Sequence, residues 1–300
     1  DDTGAGASCL GPGIRAMSAA SDLPALTADE ASHGARLEAR IRDEIAAAGG
    51  WIGFARYMQL ALYEPGLGYY SAGARKFGAA GDFITAPEVA PVFSRCLAAQ
   101  CAEVLQALGG GDVLELGAGS GVMAAEMLAE LERRAALPRR YLILDVSADL
   151  RERQHATLAA AVPHLLPRVE WLERLPEALD GVVVANEVLD AMPVERFVVR
   201  GDQVRSLGVR AQPDRLEACE AEAPATLADA VRSIARDTGV AWPEGYMSEV
   251  NLCLAGWLQA LAAAVARGVL LFVDYGLPRR DYYATERRDG TLLCHFRHRF

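Results

Sequence analysis

The chain is 300 residues long, 52% hydrophobic and 23% charged, which supports a large buried core and excludes global disorder. A formal net charge of −10 argues against a general nucleic-acid binder, which needs a basic stripe, and suits a cationic substrate or a basic partner. The six cysteines form no C-x-x-C pair and point to a reducing compartment such as the cytoplasm, and no apolar run reaches the roughly 18 residues of a membrane span.

Residues 1–35 are rich in Gly, Ala, Ser and Asp without periodicity and read as a flexible leader, with Met17 as a candidate native start. A helix is expected over 35–48, closed by Gly49-Gly50, and a second over 51–63 from its stripe of aromatic and aliphatic residues. "YEPGLGYY" (63–70) and "FGAAGDFITAPEVAPVF" (77–93) follow. In the latter, Thr85 and Glu88 have capping-box spacing and Pro87 suits a first helical turn, so a helix is expected over 86–107. Residues 36–110 thus form a helical cover region ahead of the core.

From Asp112 the pattern alternates strand and helix. Apolar strands are expected at 113–117, 141–147, 169–172, within 181–190 and at 269–276, with helices between them. Between 194 and 223 a period of two around "RGDQ" reads as a hairpin, followed by a short helix over 226–237 and a long one over 246–267. The fold class is α/β: a Rossmann-like parallel sheet covered on both faces, spanning 111–300, with an insertion at about 194–245. The end, "GTLLCHFRHRF", is strand-like without a closing turn, so the last strands of the sheet are expected to be missing. His295 and His298 have no third ligand in register, and no metal site is assigned.

"ELGAGSG" runs from Glu115 to Gly121, with Gly117, Gly119 and Gly121 where the first strand turns into a helix. Glycines there let the backbone approach a ligand closely. A dinucleotide fingerprint wants a third glycine or alanine at 122, where Val122 stands, so a nicotinamide enzyme is disfavoured. S-adenosyl-L-methionine carries no phosphate, and its sulfonium, ammonium and ribose diol suit nearby acids such as Glu115. E-x-G-x-G-x-G is the pattern of class I methyltransferases. Asp145, with Ser147 close behind it, ends the second strand where an acid can accept both ribose hydroxyls of either cofactor class. Asn186, Glu187 and Asp190 end the fourth strand and therefore fall near the methyl donor. Asp274, ending the fifth, could be catalytic or could only hold its turn.

"YMQLALYEPGLGYY", "FGAAGDFITAPEVAPVF", "LELGAGSGVM", "DVSADLRERQ", "ANEVLDAMPVERF", "LFVDYG" and "GTLLCHFRH" occur in one order over residues 52–298, and together they resemble the MidA family of class I methyltransferases. Ala118 and Ser120 stand where the family often has Pro and Arg, without loss of a glycine. The resemblance implies transfer of a methyl group to an arginine of a protein, in mitochondrial members a subunit of respiratory complex I during its assembly. It also implies further chain beyond Phe300. Glu187 and Asp190, with Asp82 from the cover and Glu249 as an outsider, are the candidate carboxylates for gripping a guanidinium. Tyr70, Gly81, Asp82 and Phe83 are expected to line a cover over the cofactor. A small-molecule methyltransferase and a cofactor-binding assembly protein without turnover are the alternatives.

Overall fold

A computed structural model describes residues 24–72, 85–145, 148–295 and 297. Helix α1 (Ala28–Ala47) begins seven residues before the expected start. The capping box lies at Thr27, whose hydroxyl accepts from the Glu30 N–H while the Glu30 carboxylate accepts from the Thr27 N–H. Strand β1 (Trp51–Gly53) takes the first residues of the expected second helix, leaving α2 at Phe54–Tyr63. The helix expected over 86–107 is two pieces, α3 (Ala86–Val89) and α4 (Pro91–Leu108). Pro91 forces the break: the residue before a proline avoids helical geometry, and Ala90 is extended at φ −156°, ψ 137°. At α3 the capping box is not formed. Thr85 occupies the N-cap but its hydroxyl caps nothing, and Glu88 is engaged elsewhere.

The core follows as β2 (Asp112–Leu116), α5 (Val122–Arg133), β3 (Tyr141–Leu144), α6 (Ala148–Ala161), β4 (Val169–Leu172) and β5 (Leu179–Asn186). The insertion contributes β6 (Glu195–Arg200), β7 (Gln203–Ala211), β8 (Leu216–Glu222), α7 (Ala225–Thr238) and β9 (Met247–Val250). The chain closes with α8 (Leu254–Ala264), β10 (Val265–Val273) and the short α9 (Arg279–Tyr282). The single helix expected over 246–267 is therefore wrong at both ends. Met247–Val250 pairs with β6, and Val265 already pairs with Leu179 of β5. No strand is found at residues 290–295, contrary to expectation.

The core is a five-stranded parallel sheet in the order β10-β5-β2-β3-β4. Val113, Tyr141, Ile143 and Val182 bury one face against α4 and α5, and Leu114, Leu142 and Val183 bury the other with Leu261 and Trp257 of α8. Both faces are covered, so β2 is apolar without alternation, apart from Asp112 and Glu115. From β2 the chain winds outward to β3 and β4, then returns to β5 on the other side, which makes the crevice above β2 and β5 the switch point where such folds bind ligands.

The expected hairpin is β6–β7, with Gly201 at φ 60° as the first loop residue, as a tight primed turn requires. It belongs to a second five-stranded sheet, β1-β7-β6-β9 with β8 on β7. That sheet is antiparallel throughout and includes β1 from the supposedly all-helical cover. Its β1 packs so closely on β7 that a Cβ at Gly208 would lie 2.2 Å from the Ile52 carbonyl oxygen. Among the described residues no helix is long and apolar enough to cross a membrane.

Candidate active site

The glycine loop leaves β2 with Gly117, Gly119 and Gly121 at φ 65°, 53° and 82°, all in the left-handed region that side chains disfavour. Space adds a second constraint. A Cβ at Gly121 would come within 2.9 Å of the Cα of Gln154, and one at Gly117 within 3.0 Å of the Val188 side chain. The Gly117 N–H donates to the Leu144 carbonyl at 3.0 Å, tying the loop to the end of β3.

Helix α6 grips the loop from below. Gln154, fully buried, donates its amide N–H groups to the Gly119 carbonyl (3.2 Å) and to Asp145 Oδ2 (2.9 Å), and accepts from the Trp171 indole (3.0 Å). One turn on, the Thr157 hydroxyl donates to the Ser120 carbonyl at 2.8 Å. Ser120 Oγ donates to Glu88 at 3.0 Å, which brings α3 onto the loop.

Glu115 is turned into the core, toward Tyr141 and Cys101. It is 1% exposed, and its Oε2 accepts from the Tyr141 hydroxyl at 2.5 Å, while Oε1 finds no partner. Burial pushes its carboxyl up to about 7, the Tyr141 hydrogen bond pulls down against that, and the charge of Asp145 adds to the rise.

At the ends of β5 and β10 the carboxylates converge. The Glu187 N–H donates to the Val273 carbonyl at 2.9 Å, and its backbone sits at φ 51°, a strained conformation for a residue with a Cβ. Its carboxylate accepts from Asn186 Nδ2 at 3.2 Å and from the N–H of Ala86. Burial raises the Glu187 carboxyl above its ordinary value, helped by the charges of Asp274 and Glu88. Asp190 is exposed as a residue. Protein packed around its carboxyl, then the like charges of Asp274 and Glu187, push it up to about 6. Asp274 holds the turn: its Oδ2 accepts from the N–H groups of Val188 (3.1 Å), Leu189 (2.7 Å) and Asp190 (3.4 Å).

The N-terminal region reaches this cluster through tyrosines. After α2 the chain folds back, with Tyr69 and Tyr70 donating their N–H groups to Ala61 and Leu62. Tyr63 and Tyr70 stack with centroids 5.5 Å apart, and the Tyr63 hydroxyl donates to the Ala191 carbonyl at 2.8 Å. Burial, then the charges of Asp190 and Glu187, push the Tyr70 hydroxyl up to about 12. So Asn186, Glu187, Asp190 and Tyr70 share one crevice rim, beside the loop and Asp145. Gly81, Asp82, Phe83 and Ser147 lie outside the described residues. Glu249 is on β9 rather than a helix and is 3% exposed. Its carboxylate accepts from the Tyr282 hydroxyl (2.9 Å) and from Thr291 N–H and Oγ1 (both 2.6 Å), a role in pinning the C-terminal segment.

Tyr63, Gln154 and Trp171 have roles here that sequence reasoning missed. Tyr63 stands in the quoted glycine–tyrosine stretch. The i, i+3 spacing of Gln154 and Thr157 on α6 was the available sign of a second polar face.

An acidic rim beside a glycine loop fits S-adenosyl-L-methionine, whose cationic groups would offset the burial and the like charges that raise Glu187 and Asp190. Comparison with known proteins agrees. Residues 96–300 match the family described as "Putative S-adenosyl-L-methionine-dependent methyltransferase". A crystal structure of a COG1565 superfamily member from Burkholderia thailandensis, bound to S-adenosyl-homocysteine, superposes with a TM-score of 0.86 at 43% identity, covering 92% of this chain and 72% of that one. Among curated proteins, the mitochondrial protein arginine methyltransferase NDUFAF7 of Danio rerio is 28% identical over 258 residues, 76% of this chain and 59% of that protein. The Drosophila melanogaster homologue is 30% identical over 190 residues, 56% of this chain and 43% of that protein. The chain thus spans about half the length of the curated relatives it matches. The chain belongs to this family of S-adenosyl-L-methionine-dependent methyltransferases, and S-adenosyl-L-methionine is its cofactor.

Proposed function

We propose that the protein transfers a methyl group to a guanidinium nitrogen of an arginine in a protein substrate. The observation that carries this reading is the cluster of Glu187, Asp190 and Asp274 at the ends of β5 and β10, where burial, and after it the like charges, raise the first two carboxyls. The naming of curated relatives as protein arginine methyltransferases supports it. A subunit of respiratory complex I, which the MidA resemblance implies, is the first substrate to try, and the cytoplasm is the compartment that the cysteines suit.

Asp145 and the glycine loop would hold the cofactor's nucleoside, with Asn186 and Tyr70 on its other side. S-adenosyl-L-methionine supplies an electrophilic methyl group on its sulfonium. An arginine guanidinium is protonated and delocalised at neutral pH, so its nitrogens are poor nucleophiles. Glu187 and Asp190, accepting hydrogen bonds from two of those nitrogens, would hold the positive charge on one side and aim the third at the donor. As the new N–C bond forms and the S–C bond breaks, the nitrogen gives up one proton, for which a carboxylate of raised basicity is a ready acceptor. Asp274 keeps the backbone of residues 188–190 in place while this happens.

The test is incubation of the protein with methyl-labelled S-adenosyl-L-methionine and a lysate of the source organism, followed by mass spectrometry of what becomes labelled. Label on an arginine side chain is expected. Label on a small molecule or on another side chain would overturn the arginine reading, and cofactor binding without any label would favour a role in assembly.

A further inference from the structure

Gln154 is a buried side chain that hydrogen-bonds both the glycine loop and Asp145. Its three partners leave no freedom in how its amide is oriented. An indole N–H can only donate, and a carboxylate and a backbone carbonyl can only accept. Trp171 Nε1 therefore claims the amide oxygen at 3.0 Å, and the amide nitrogen must face Asp145 Oδ2 at 2.9 Å and the Gly119 oxygen at 3.2 Å. Neither a glutamate nor a hydrocarbon can serve all three.

The helix carrying this residue lies against the loop's backbone, since the Gln154 Cα blocks any Cβ at Gly121. The consequence for the loop is directional. Drawing the Gly119 carbonyl toward α6 points the N–H of residue 120 the opposite way, because the two are antiparallel across a trans peptide. The same amide fixes one oxygen of Asp145 and so sets where its other oxygen points.

We propose that Gln154, oriented by Trp171, is a positioning residue for the cofactor: it holds Asp145 and the glycine loop in the mutual arrangement that receives the nucleoside. The proposal rests on Asp145 as the acid that accepts the ribose hydroxyls. It needs no assumption about the methyl acceptor.

The experiment is calorimetric binding of S-adenosyl-homocysteine to the whole chain, with thermal denaturation of each variant alongside. Asp145→Ala tests the premise and should weaken binding; unchanged affinity would overturn both the site and the role of Gln154. Gln154→Glu keeps the shape but sets a carboxylate against the Asp145 carboxylate and the Gly119 oxygen. Gln154→Leu removes the donors, and Trp171→Phe removes the group that orients them. Each should weaken binding by about tenfold to a hundredfold, the scale felt when an outer hydrogen-bond partner of a metal-binding side chain is lost. Thr157→Val, which releases only the Ser120 carbonyl, should cost clearly less.

A pH series separates positioning from mere packing. Between about pH 8 and about pH 5.5 the Gln154→Glu protein, relative to wild type, should regain affinity, because paired carboxylates hold a proton and a protonated glutamate can donate to Asp145. Gln154→Leu should not regain it. If Asp145→Ala weakens binding while the Gln154 variants bind like wild type, the proposal is wrong. It is equally wrong if Gln154→Glu shows no recovery at low pH, or if Thr157→Val costs as much as the Gln154 variants.

Discussion

Glu115 carries a charge into a core that has little to offer it: one tyrosine hydroxyl, and no partner for the second oxygen. Its carboxyl is raised from about 4.5 to about 7 by burial, so the folded protein holds a proton there that the unfolded chain releases. The sign follows directly. Stability is highest below the unfolded value, and falls as pH rises from about 4.5 through about 7, by on the order of 3 kcal/mol. Glu115→Gln, which keeps the bond from Tyr141 without the charge, should flatten this loss. Its melting temperature should match wild type near pH 5 and exceed it above pH 7; parallel curves would show that Glu115 is not the group concerned. The residue's position was readable from sequence, and its direction was not. With both faces of β2 buried, alternation does not tell which face a side chain takes, and an acid beside a glycine loop reads as a ligand for the cofactor. The place of Glu187 and Asp190 just past the end of β5 was legible, because the apolar run before them reads as a buried parallel strand.

At the scale of elements, the parallel strands were legible because their apolar runs are bounded by glycines and helices. The elements misread share a cause. An alanine-rich run from 254 favours helix locally, yet the strand expected from 269 already begins at Val265, because β5 offers partners from Leu179 onward. Met247–Val250 is likewise recruited by β6, and Trp51–Gly53 by β7, from across the chain. Such pairing leaves almost no local signal in strands of three or four residues. β1 extends the second sheet from the N-terminal region, alongside the packing of α1 and α2 on β7, and its pairing depends on Gly208. In Gly208→Ala the new methyl would meet the Ile52 carbonyl and the Trp51 ring, so β1 should detach while the parallel sheet stays intact. Limited proteolysis should then cut near Gly49-Gly50 faster than in wild type, with the core fragment resistant. Unchanged cleavage would mean that β1 is held by other contacts.

At the scale of the whole molecule, the two sheets divide the work. The parallel sheet supplies the glycine loop, Asp145 and the carboxylates of the β5 end, and the antiparallel sheet anchors α2 so that Tyr63 and Tyr70 reach the same rim. Of the residues brought there from the N-terminal region, sequence reading named Tyr70 and missed Tyr63, whose hydroxyl bonds the Ala191 carbonyl from far along the chain. Asp82, assigned to that wall from sequence, lies outside the described residues, and Tyr63 and Tyr70 carry the wall among those described. In the arginine reading Glu187 serves methyl transfer and leaves cofactor binding to other residues. Glu187→Gln, assayed in parallel for labelled-methyl transfer and for S-adenosyl-homocysteine binding, tests it most directly. Transfer should fall by about a hundredfold or more, as when a group that acts on developing charge is removed, with binding close to wild type. Turnover at the wild-type rate would contradict this role of Glu187.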